Sequence, residues 1–258
     1  MKTIQAILAA SVVFLAGNAQ AATTLTVTPA DLLGQAQAQA QDQFNALSDD
    51  LSAGIWMNPS NSAEAHSAGF IPVGFQVGVE VAALTIDPTA AHWANMNADL
   101  PEALPFPRLR ISAGIPFGLD LSYMTLSMPD SNIEMTGYEG RFALGSFIPV
   151  PMVEANIRYH QSSLTGVQDY EIKNAGFAVM IGANFPIIKP YAEFGTVTST
   201  ATPSGQLVSG PVVLQEYEST KSTTAIGAKI ELAFFVINVE QSTVGDQKLT
   251  TAKIGFEF

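Results

Sequence analysis

An all-β fold, a closed antiparallel transmembrane β-barrel of about ten strands (eight to twelve fit) with an N-terminal amphipathic helix, is predicted by three observations. From Phe70 onward apolar residues recur with a period of two, as they do along strands with one apolar face. No apolar run after Ala21 approaches the ~20 residues that a membrane-spanning helix needs, although 47% of the chain is hydrophobic and only 13% is charged. The chain carries an export signal yet has no cysteine. Hydrogen bonding and packing alone must then hold it, and a closed barrel does so by leaving no strand edge unpaired.

Taken in order, the chain opens with Lys2, an apolar core from Ile4 to Ala16 and Ala19-Gln20-Ala21. That is the layout of a cleaved secretory signal peptide over residues 1–21. Residues 22–68 are expected to form a periplasmic helix and linker. Thr28 offers a cap, Pro29 suits a first turn and Asp31 favours a helix N-terminus, so a helix is expected to run to about Leu51. Leu33, Ala36, Ala40, Phe44, Leu47 and Leu51 make one stripe, and Gln35, Gln37, Gln39, Gln41 and Gln43 crowd the remainder. The expected position is outside the lumen at the periplasmic mouth, because the stripe would meet arginines and glutamates inside. The alternative is a plug, for which Ala and Gln keep the helix thin. Pro59-Ser60-Asn61-Ser62 reads as a loop, and the barrel occupies 69–258.

Ten strands follow: 70–83, 108–115, 119–127, 133–147, 152–162, 170–185, 190–200, one ending near Ala233, 235–243, and the C-terminal one. An even number returns both ends to one side. The turns after strands two, four, six and eight are short and rich in Pro and Phe, which suits the periplasm, and the others are mostly longer and polar. Phe117, Phe147, Phe185, Phe234, Phe256 and Phe258 fall near the short turns. Tyr123, Tyr138 and Tyr159 fall nearer the other end, which gives two aromatic girdles.

Alternation turns Glu80, Arg108, Arg110, Asp120, Glu139, Arg141, Glu154, Arg158, Glu193, Lys229, Glu231, Glu240, Lys253 and Glu257 inward, including every arginine of the chain. Facing lipid, each charge would cost ~2–4 kcal/mol at mid-membrane. These lumen-lining charges either neutralise one another in a filled barrel or line a narrow channel for small solutes. Gly78, Gly114, Gly145, Gly182, Gly195, Gly227 and Gly255 share the inward face, where they either widen it or relieve curvature.

A second function is a structural or adhesive barrel acting through acidic outer loops. A hydrolase would have to use His92 with Asp87, Asp99 and Glu102, or His160 with Ser162 and Asp169, and neither set forms a motif, so the chain is read as a non-enzyme. No His/Cys cluster suggests a metal, and no cofactor is expected. A net charge of −12 excludes nucleic acid as a partner.

The final strand places Ala252, Ile254, Phe256 and Phe258 on one face and Thr251, Lys253, Gly255 and Glu257 on the other. Ending on Phe258, it resembles the C-terminal assembly signal of bacterial outer-membrane β-barrels, carried here by Ile254, Phe256 and Phe258. An amphipathic helix ahead of a small barrel is similar to uncharacterised outer-membrane families with that layout. The resemblance implies export to the bacterial outer membrane, contact with its lipid and recognition by the barrel-assembly machinery.

Overall fold

The computed structural model describes residues 29–66, 73–95, 100–127, 134–145 and 150–258. The expected signal peptide and Thr28 cap, the expected start of strand one at Phe70, and Ile133 and Phe147 in the expected strand four lie outside them.

The strands are β1 (Gly74–Thr85), β2 (Ala103–Ile115), β3 (Leu119–Ser127), β4 (Glu134–Ala143), β5 (Val153–Val167), β6 (Tyr170–Ala183), β7 (Ile188–Pro203), β8 (Tyr217–Leu232), β9 (Phe235–Val244) and β10 (Gln247–Glu257). Each pairs antiparallel with its neighbours in sequence, and β1 closes the barrel on β10. The chain's last residue completes that seam, since Phe75 and Phe258 exchange backbone hydrogen bonds of 2.9 and 2.8 Å.

The tight turns at 116–118 and 233–234 lie at one end with the 184–187 turn, while the connections 86–102 and 204–216 lie at the other. Two turns at the long-loop end are nevertheless tight. Val167 pairs with Tyr170, and Val244 with Gln247. Asp169 and Gly245 there adopt the left-handed backbone such turns need. β2 begins five residues earlier than expected and runs through Pro105 and Pro107. Its pairing to β3 starts only at Leu109, so this stretch has a free flank on which a missing N–H costs no ladder bond. In the 86–102 connection Asp87 accepts from the Thr89 hydroxyl (2.6 Å) and N–H (2.9 Å), which holds its carboxyl below the usual range.

The outward face carries an apolar belt, with Val79, Ile111, Leu121, Ile157, Val179, Phe194 and Ile226 exposed. Phe117, Phe185, Phe234, Phe256 and Phe258 are exposed at its short-turn edge, and Tyr123, Tyr138 and Tyr159 at the other. Past those tyrosines the outward positions turn polar, as at Thr198, Thr220, Thr224 and Thr243, which hydrogen-bond across strands.

The inward face changes the opposite way. Toward the short turns it is charged. Toward the long loops it is apolar, with Leu84, Leu104, Phe106, Met124, Met135, Ile172, Val197, Ala201, Val244 and Leu249 all buried. This reversal corrects the expected position of the N-terminal helix. α1 (Gln37–Ile55) contacts β1, β2, β5, β6, β7, β8 and β10, strands from all round the wall. It is not at a periplasmic mouth outside the lumen but enters the lumen from the long-loop end.

Phe44, Leu47, Leu51 and Ile55 are buried with the inward apolar residues in one core. Each such side chain contributes about 1.5–3 kcal/mol, so the stripe that would have suffered among charges is satisfied in the apolar half. Phe44 meets Tyr170 edge-on at 5.5 Å, and the Asn174 amide donates to Ser52 O at 2.8 Å. The helix begins later than expected because Pro29–Gly34 forms a separate 3-10 turn ending at a glycine.

The N-terminal half of α1 stands among the long connections. Gln37 and Gln41, one helical turn apart, each accept from and donate to the backbone of Val213 and Gln215, at 2.5–3.2 Å. Asp50 accepts from Trp93 Nε1 at 2.7 Å in the short helix α2 (Ala91–Ala94). Asp49 pairs with Lys221 at 2.8 Å and accepts from Ser219. The glutamines and aspartates thus fasten the cork to the barrel's rim.

Candidate functional site: an arginine-clamped strap

Beyond Ile55 the chain does not leave the barrel. Residues 56–62 run as an irregular strap through the charged half of the lumen, and Trp56, Met57, Asn58, Ser60, Asn61 and Ser62 are buried. A strap without a strand partner has unpaired carbonyls, and buried carbonyls need donors. The four arginines supply them.

Arg108 donates to Trp56 O (3.0 Å) and Asn58 Oδ1 (2.7 Å). Arg110 donates to Asn58 O (2.8 Å) and Pro59 O (3.2 Å). Arg141 reaches Pro59 O (2.6 Å) and Ser62 O (3.4 Å), and Arg158 donates to Met57 O. The guanidinium fork allows one side chain to hold two strap acceptors and a carboxylate at once.

Carboxylates of the same wall orient the forks. Glu80 lies 2.9 Å from Arg108 Nε and 3.2 Å from Arg110 Nε. Glu139 bridges Arg141 (2.6 Å) and Arg158 (2.7 Å), and Glu193 takes the other side of Arg158 at 2.8 Å. Glu240 grips the strap from the opposite wall, accepting from Asn58 Nδ2 (2.7 Å), Ser60 N (2.8 Å) and the Tyr191 hydroxyl (2.7 Å).

Toward the short-turn end Asp120 accepts from the backbone N–H of His66 (3.2 Å) and faces its Nδ1 at 3.0 Å. Lys253 donates to Gln76 Oε1 (2.7 Å), which also receives Asn61 Nδ2 (3.3 Å). Lys229 pairs with Glu257 (2.7 Å) and Glu64 (3.2 Å), and Lys189 joins Glu64 (2.6 Å) and Glu231. Glu154 sits half-buried at this rim, beside Glu64, Ala63 and Lys189.

Glycines give the strap room. A Cβ on Gly114 would come within 2.8 Å of His66, and one on Gly182 within 3.1 Å of Ala63. The inward glycines at these two positions accommodate protein.

Every lumen charge expected from alternation therefore falls in or beside this network. Gln76 shares the inward face with Glu80 by alternation, whereas Lys189, Tyr191 and the strap residues themselves were not foreseen. Lys189 was recoverable by parity with Tyr191 and Glu193. The strap had no comparable signal, because Asn, Pro and Ser at 58–62 read as an ordinary loop.

The histidine sets do not assemble as proposed. His92 contacts Asp50 at 2.9 Å, and Asp87 is taken up by Thr89. His160 receives Trp56 Nε1 at 3.4 Å inside the barrel, whereas Asp169 accepts from Gln206 N at a turn. Asp99 lies outside the described residues.

No protein-family model and no curated relative matches this sequence. Among solved structures, the chain is similar to the KdgM porin (11% identity, 71% of this chain and 99% of that one, TM-score 0.37). It is also similar to neisserial surface protein A (10%, 72% and 97%, 0.31) and to Ail, the attachment invasion locus protein of Yersinia pestis (12%, 72% and 97%, 0.29). These similar structures are small bacterial outer-membrane β-barrels.

Proposed function

We propose that this protein is an outer-membrane barrel held shut by its own N-terminal segment, and that it works by presenting its long-loop end at the cell surface. The observation that carries this reading is the clamp, in which all four arginines donate to the strap, so the inward charges hold protein in place instead of lining a solute path. A narrow channel for small solutes would require the strap to leave.

With short turns in the periplasm, the 86–102 and 204–216 connections, the start of α1 and residues 29–36 face outward. The exposed apolar belt supports contact with outer-membrane lipid. Ile254, Phe256 and Phe258 are assigned as the signal read by the assembly machinery, and their strand also makes the closing seam. In this reading the protein is a structural or adhesive barrel, with no catalytic residue, metal or cofactor.

An epitope tag inserted between Ala21 and Thr28, probed with antibody on intact cells, tests the proposal. Labelling of intact cells is expected. Labelling only after the outer membrane is permeabilised would overturn it.

A further inference from the structure

Two concavities lie one above the other on the outer wall of β4–β7. The lower is an apolar groove of about 700 Å³, lined by Phe142, Ile157, Tyr159, Phe177, Val179 and Phe194. The upper is a polar cup of about 370 Å³, lined by Thr136, Tyr138, Gln161, Ser163, Lys173 and Thr200.

The strand registers align them. Outward positions form the rows Phe142–Ile157–Val179–Phe194, Gly140–Tyr159–Phe177–Thr196, Tyr138–Gln161–Ala175–Thr198 and Thr136–Ser163–Lys173–Thr200. Depth comes from small residues between large ones. A Cβ on Gly140 would find nothing closer than Leu121 at 3.9 Å, so the missing side chain leaves open space beside exposed Phe177 and Phe194. Ala175 makes the same kind of gap one row higher.

The change from apolar to polar falls between the second and third rows, at the level of Tyr138 and Tyr159, where the belt ends. An occupant filling both concavities must be apolar below this line and hydrogen-bonding above it. The cup offers hydroxyls, an amide and one ammonium. Lys173 is its only cation and, among the described residues, pairs with Glu171 alone at 2.9 Å, both partners well exposed. Such a pair contributes little and yields to a stronger anion.

We propose that β4–β7 form a binding site for an acylated, phosphorylated glycolipid of the outer leaflet, with an acyl chain beside Gly140 and its phosphosugar head at Lys173. The site rests on the outer-membrane reading above but not on the closed lumen. Aromatic walls supply area, and the hydroxyl-rich cup matches a saccharide better than a choline or ethanolamine head.

The test is native mass spectrometry of the full-length folded protein released from micelles, with hexa-acylated diphosphoryl lipid A as probe and zwitterionic phosphatidylethanolamine as competitor. Lipid A adducts are expected to survive activation that strips phosphatidylethanolamine. Gly140→Leu, which fills open space without a clash, should reduce retention about tenfold, and Lys173→Gln about fivefold. Heat-modifiable gel migration of both variants should match the parent, which separates loss of the site from failure to fold or insert.

Equal retention of both lipids, unchanged retention in correctly folded variants, or a dimer abolished by Gly140→Leu would overturn the proposal. The last result would make the groove an interface between copies. Labelling only after permeabilisation would turn the cup toward the periplasmic leaflet and overturn both readings, whereas intact surface labelling with equal retention of both lipids would count against the site alone.

Discussion

Replacing Asn58 by alanine removes three hydrogen bonds at the centre of the strap without touching any barrel backbone. The side chain accepts from Arg108 at 2.7 Å and donates to Glu240 at 2.7 Å and Thr251 Oγ1 at 3.2 Å. Its exposure is 0%. Bonds to charged groups contribute about 1.5–3 kcal/mol each and a neutral one about 0.5–1.5. Partial compensation is available, because Arg108 keeps Trp56 O and Glu80, and Glu240 keeps Ser60 N and Tyr191. The expected loss is therefore about 3–5 kcal/mol, below the simple sum. The assay is reversible denaturation in lipid vesicles followed by tryptophan fluorescence. The chain has two tryptophans, Trp56 in the strap and Trp93 in α2, and both are buried. Thr220→Ala on the exposed collar, bonded only to Thr198, serves as control and should stay within about 0.5 kcal/mol. A change below about 1 kcal/mol for Asn58→Ala would refute the clamp, since a buried residue linking two charged walls cannot be silent.

Ile230→Arg should destabilise the barrel by about 2–4 kcal/mol in the same assay, because position 230 alternates outward from buried Lys229 in β8; a stable variant would shift that register by one. Deleting Phe258 removes both backbone bonds to Phe75 at the seam and should slow insertion, read as loss of heat-modifiable migration, whereas normal insertion would argue against the terminal aromatic as a signal. Ser52→Cys with Asn174→Cys, in a chain otherwise free of cysteine, should be bridged by a short bis-maleimide in the folded protein. Absence of that cross-link would remove α1 from the lumen.

The barrel was legible because lipid enforces its rules residue by residue. A charge on the outer face is costly, so parity alone turned Glu80, Arg108, Arg110 and Glu139 inward, and ten strands followed from period two. The helix was legible as a helix but not in its place. Placing it required following the inward face past the belt, where Leu84 succeeds Glu80, Phe106 precedes Arg108, and Met124 succeeds Asp120 and Ser122. At the same height the outward face turns to Thr125, Thr198 and Thr243. An inversion of hydrophobic parity partway along the strands is what an internal apolar cork requires, and it is present in the sequence of β1, β2 and β3. The strap left no such trace, because its bonds are made by backbone carbonyls, which every residue has. The outer groove was likewise hidden, since it depends on Gly140 and Ala175 meeting large neighbours across strands whose register only the fold supplies.

The central claim is that α1 and the strap close the lumen, and planar-bilayer recording of the full-length protein beside a form lacking residues 22–62 tests it most directly. The full-length barrel is expected to show no steady conductance. The truncated form, once heat-modifiable migration shows it folded, should open to a large and steady one. A discrete, steady conductance from the full-length protein that the truncation leaves unchanged would contradict the account.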